Sequence, residues 1–161
     1  MSAAAVADPF AASRATFERL YTDLLALLRG LDDACVRWVP PVAETNSIAA
    51  MVRHTLGATA AWITRAGGEE LEGRNRDAEF RATDGAADLV AAVERGLEDL
   101  RSRFGRLQTV DPATRRRFRL AVSPGEREET AGWCVEHALA HAGEHWGQIQ
   151  LTRQWYDATA R

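Results

Sequence analysis

The chain contains no lysine. All 20 of its cationic residues are arginine, so chemistry through a Schiff-base lysine is excluded. Cysteine is almost as scarce. Cys35 and Cys134 lie far apart and form no Cys-x-x-Cys pair, which excludes a disulfide framework or a cysteine-rich zinc site and fits a reducing compartment. No apolar run approaches the ~20 residues that a membrane-spanning helix needs. Met1 to Pro9 carries neither a basic n-region nor an apolar h-region, so no signal peptide is read there and a cytoplasmic protein is expected. Internal repeats, low-complexity tracts, a Gly-x-Ser-x-Gly elbow, a phosphate loop and a His-Glu-x-x-His helix are all missing. A net charge of −3 gives no general pull toward nucleic acid or acidic membranes.

The composition itself is ordinary for a globular chain, 46% hydrophobic and 27% charged, and 161 residues suffice for one domain with a sizeable core. We read residues 1–161 as that single domain, with 1–9 a flexible tail. Four segments carry a helical hydrophobic period, and none shows a convincing strand alternation. The first runs from about Phe10 to Leu28, with Phe17, Leu20, Tyr21, Leu24, Leu27 and Leu28 on one stripe and Gly30 as its stop. Pro40 and Pro41 bar any helix from running through the connector beyond it. Asn46–Ser47 offers an N-cap for the second helix, which runs to Ala66 and ends at Gly67–Gly68. A polar stretch, Glu69 to Gly85, is expected to pack over one end of the bundle. The third helix spans about Ala86 to Leu107. An arginine-rich loop, Asp111 to Glu129, then leads to the last helix, about Thr130 to Tyr156. Four amphipathic helices of ~20 residues suggest an all-α four-helix bundle with long second and third connections.

The last helix breaks the apolar rule of the other three. Its seam reads Cys134, Ala138, His141, His145, Gln148, Thr152, Trp155, polar in the middle rather than at an end. An inward polar group without a partner costs ~1–3 kcal/mol, so such a run calls for a network or a ligand. His141 and His145 stand four residues apart, the spacing by which one helical face offers two nitrogens to one metal ion. His137 extends the column by a turn, and the one other histidine, His54, lies on the second helix beside Met51 and Thr55. Spacing alone leaves three readings open: a metal site, a polar network sealing the core, or a surface patch.

Two stretches carry a resemblance that bears on this choice. Asn46-Ser47-Ile48-Ala49-Ala50-Met51-Val52-Arg53-His54 and His137-Ala138-Leu139-Ala140-His141-Ala142-Gly143-Glu144-His145-Trp146-Gly147-Gln148-Ile149-Gln150-Leu151-Thr152-Arg153 are similar to two motifs of the DinB-like family of bacterial helical-bundle metalloenzymes. Trp38 with Pro40, and Arg76-Asp77-Ala78-Glu79-Phe80-Arg81, support it in the expected order. The resemblance implies that His54, His141 and His145 coordinate a divalent metal (zinc, nickel or manganese). It also implies a transferase that activates a low-molecular-weight thiol of the bacillithiol or mycothiol kind, and pairing into a homodimer. His137 falls outside that triad and is read as a supporting or structural residue. The alternatives are a non-catalytic metal-binding or small-ligand-binding stress protein, or a purely structural dimeric bundle.

Several other residues have an ordinary role beside a functional one. Gln148, one turn beyond His145, either orients a ligand or packs the helix. Glu144 is a candidate general base, with a solvated helix face as the simpler role. Cys134 reads as a small buried residue rather than a nucleophile. Trp62, Trp146 and Trp155 read as core or interface. The cluster Arg115-Arg116-Arg117-Phe118-Arg119 either binds carboxylate or phosphate or is a solvated loop balanced by Glu126, Glu128 and Glu129.

Overall fold

The computed structural model describes residues 8–120 and 123–159. Most of the expected tail, and the tip of the arginine-rich connection, lie outside the described residues. Four long helices form the body: α1 (Ala11–Leu28), α3 (Ile48–Gly67), α5 (Ala86–Leu107) and α6 (Ala131–Thr159). Two short helices stand between them, α2 (Asp33–Arg37) and α4 (Arg76–Phe80). The helix α3 packs against both α5 and α6, and α1 packs against the same two, so α1 and α3 occupy opposite corners of the bundle.

Local chemistry sets the element boundaries. The Ser47 hydroxyl accepts from the Ala50 amide at 3.1 Å and caps α3. Gly68, with φ at 93°, closes the same helix in the left-handed conformation that glycine adopts without strain. Asp32 caps α2 by accepting from the Cys35 amide at 2.8 Å, and Asn75 caps α4 by accepting from Ala78 at 3.0 Å. Phe17, Tyr21, Leu24 and Leu28 of α1 meet Leu89, Val93, Leu100 and Phe104 of α5 and Met51, Val52 and Ile63 of α3 in one buried core. Leu25, outside the expected stripe, is buried as well. The buried residues of α6 are small in its first half, Ala131, Cys134, Ala138 and Ala142 beside Val135, with Ile149 and Thr152 further on. Among the described residues no helix is long and apolar enough to cross a membrane.

Two expectations are corrected. The stretch from Asp111 to Glu129 is not a loop: β1 (Arg115–Leu120) and β2 (Ser123–Thr130) pair antiparallel. The polar stretch from Glu69 to Gly85 does not cap the bundle end. It lies along the flank of α3, where a Cβ on Gly57 would run into the Glu79 carboxylate and where Arg53 pairs with Asp84. Of the α6 seam, whose role spacing left open, Gln148 and Trp155 are exposed.

Candidate metal centre

The α3 helix delivers His54 two turns past its Ser47 cap, and α6 delivers His141 and His145 one turn apart. The bundle brings these three rings together, with one ligand nitrogen from each lying within 4.8 Å of the others. His54 Nε2 and His141 Nε2 are 3.2 Å apart. Two imidazoles on one zinc at the usual Zn–N distance and a tetrahedral angle stand ~3.3 Å apart, so the observed spacing suits a shared ion.

The other faces of the rings are held from behind. His54 Nδ1–H donates to Glu79 Oε2 at 2.9 Å, which fixes the tautomer and turns Nε2 toward His141. Glu79 in turn accepts two bonds from Arg74, at 2.7 and 2.9 Å, a bidentate pair with both side chains largely buried. Phe80 covers the His54 ring at 4.2 Å between centroids. Both Glu79 and Phe80 come from α4, so this five-residue helix fixes one ligand of the site. His145 Nδ1–H donates to Gln148 Oε1 at 2.7 Å and likewise presents Nε2. His141 Nδ1 is buried and, among the described residues, has no hydrogen-bond partner.

Electrostatics favours the neutral ring at His141 and at His145. Burial, reinforced by the neighbouring histidines, pushes His141 down to about 4. Burial also lowers His145 despite the opposing Gln148 bond. Burial acts upward on Glu79, but its bonds to His54 and Arg74 outweigh that and hold the carboxyl below its ordinary range. A carboxylate behind neutral imidazoles is the donor set that a borderline divalent cation takes. The set therefore fits a divalent metal.

The remaining candidates fall into place around this set. His137 stacks on Trp133 at 4.7 Å and meets the edge of Trp62 at 4.5 Å, and it is not hydrogen-bonded to the triad. Glu144 is exposed at the border of a cavity of about 860 Å³ that opens beside the triad, along with Met51, Phe80 and Trp155. Trp62 is core, Trp146 is partly buried, and Trp155 is 40% exposed against Trp38. Cys134 is fully buried, and burial raises its thiol to about 11, so it remains a packed apolar group. Arg115 and Arg117 both pair with Glu128 across the hairpin, while Arg116 reaches the Ala66 carbonyl at 2.9 Å.

Sequence pattern did not reveal Glu79 and Arg74. Glu79 lies inside one of the stretches that carry the resemblance, but it is one acid among several in a polar connector, and no periodicity marks it. The glycine beneath it, Gly57, is the sole local trace of the close approach.

A model of the DinB superfamily matches residues 16–149, a span that includes all three histidines. No curated protein matches the chain.

Proposed function

The chain belongs to the DinB superfamily, and on that premise we propose that it is a metal-dependent transferase acting on a low-molecular-weight thiol. The observation that carries this reading is the convergence of His54, His141 and His145 at the edge of a substrate-sized cavity. Three protein ligands leave positions for an incoming group, the arrangement of catalytic rather than structural sites. A divalent ion held there supplies Lewis acidity that lowers the pKa of a thiol or water brought against it.

The chain's own residues do the positioning. Glu79 and Gln148 lock the ring orientations of His54 and His145, so the donor atoms need no reorganisation. Met51, Phe80 and Trp155 give the cavity an apolar wall for an electrophile. Of the two carboxylates bordering it, Glu44 and Glu144, the latter stands next to His145 and is the candidate acceptor of the thiol proton. With both protein thiols buried, the nucleophilic sulfur is the substrate's own. Homodimerisation belongs to the same reading, and light scattering measures it.

The reading is tested with bacillithiol and with mycothiol against a chromogenic aryl halide. In this reaction a carbon–sulfur bond forms, the carbon–halogen bond breaks, and the thiol proton passes to solvent. Turnover with one thiol that chelator or His145→Ala removes supports the transferase. Stoichiometric metal without turnover leaves a metal-binding protein instead.

A further inference from the structure

A second cavity, of about 460 Å³, adjoins the first at His54, His141 and Arg76, which border both. Its wall differs in kind. Five guanidinium groups, those of Arg65, Arg74, Arg76, Arg119 and Arg127, line it, and no carboxylate does. Three of the five are neutralised from outside: Arg65 by Glu70 at 2.9 Å, Arg74 by Glu79 at 2.7 Å and Arg127 by Glu129 at 3.0 Å. Among the described residues Arg76 and Arg119 have no such partner; Arg76 lies over the Phe80 ring at 4.7 Å. The concavity thus carries two uncompensated positive charges, and low-dielectric walls concentrate their field.

The cationic wall is also held in place. Arg127 lies over Trp133 at 5.3 Å, Trp133 stacks on His137, and His137 meets the edge of Trp62. Arg65 lies over Trp62 and over Phe118 of the hairpin. Rings on three elements thus hold two of the wall's guanidinium groups in place, and Phe80 backs Arg76, one of the two without an acidic partner. This stack also accounts for His137, which the triad does not use.

We propose that this cavity seats a small anionic ligand, bearing carboxylate or phosphate oxygens, with Arg76 and Arg119 as its principal contacts, directly beside His54 and His141. The planar guanidinium fork matches either oxygen pair, and the cavity's size suits a metabolite rather than a polymer. For the assignment of substrates the inference rests on the proposed function: the anionic thiol enters from the arginine side and the apolar electrophile from the larger cavity. Anion binding itself needs neither metal nor turnover.

Isothermal titration calorimetry on full-length, chelator-stripped protein at low ionic strength tests this, with inorganic phosphate and with succinate as separate probes. One saturable site for either probe is expected, and the preferred probe tells phosphate from carboxylate. Arg119→Gln and Arg76→Gln should each weaken binding by about tenfold, the scale of one charge-assisted hydrogen bond. Arg101→Gln, an exposed arginine paired with Glu18 away from the cavity, should leave it unchanged. Arg119 and Arg76 are themselves exposed, and unchanged thermal melting verifies that the variants fold. Failure of both anions to bind, or undiminished binding in Arg119→Gln, overturns the proposal. Metal content of the same preparations separates the two ideas. Anion binding without metal uptake upholds the anion site and sinks the metal reading, and the converse result does the reverse.

Discussion

At the residue scale the site turns on a carboxylate behind a histidine. Glu79 orients His54 and is itself clamped by Arg74, so its loss should be felt at the metal. Glu79→Gln keeps the shape and removes the charge. We expect divalent-metal affinity to fall about 10–100-fold, the usual cost of losing a ligand's supporting partner, as read by competition with a chromophoric chelator. Gly57→Ala makes a sharper probe. Alanine inside a helix would ordinarily stabilise by ~0.5–1 kcal/mol. Here the added Cβ meets the Glu79 carboxylate, which must leave His54, so metal affinity should drop while the melting temperature changes little. An affinity equal to the wild type's would mean that Glu79 does not orient the ligand.

Protonation belongs to the same scale. A histidine whose folded pKa lies below its unfolded value of ~6.5 binds more protons when unfolded. Its stabilising contribution is complete above that value and is lost as pH falls toward the folded one, about 4 for His141. His145 and His137 are shifted in the same direction by burial. Glu79, held low, contributes above its unfolded value and loses that contribution as pH falls through its folded one. Metal-free protein should therefore lose stability steadily as pH falls from about 7 to about 4, measured by thermal melting. A flat or rising melting temperature over that range contradicts this electrostatic picture.

At the element scale, legibility followed the source of each element's stability. The α3 helix was readable because a cap, a left-handed glycine and an apolar stripe coincide in it, and α5 because its apolar stripe is long and unbroken. Ser47→Ala should cost ~0.5–2 kcal/mol in urea unfolding, the worth of an N-cap. The hairpin was not readable, because its strands have no apolar alternation to find. Phe118 is the buried residue of β1, and the side-chain ion pairs across the ladder run from Arg115 and Arg117 to Glu128. An isolated arginine run therefore reads as loop until its partner strand is known. The polar seam of α6 was legible as an anomaly, but whether its residues faced a sealed core or an open cavity depended on α4, which short polar sequence does not announce.

At the scale of the whole molecule, the site depends on three elements distant in sequence. His54 and His141 are separated by 87 residues, and Glu79 comes from a connector between them. A ligand that bridges α3 and α6 binds the folded chain alone, so it should stabilise the bundle by ~2.7 kcal/mol at a hundredfold excess over its dissociation constant. Zinc or nickel should raise the melting temperature of the wild type and leave that of His141→Ala unmoved. A basic cavity and an apolar-walled cavity meeting at the histidines give this arrangement two entrances to one centre.

Elemental analysis of protein purified without a histidine tag, beside His54→Ala and His141→Ala, tests the metal centre most directly. We expect close to one zinc, nickel or manganese per chain in the wild type and loss in both variants. A wild type with little metal and no uptake of added divalent ions would contradict the metal centre, leaving the three histidines as a polar network in the wall of a cavity.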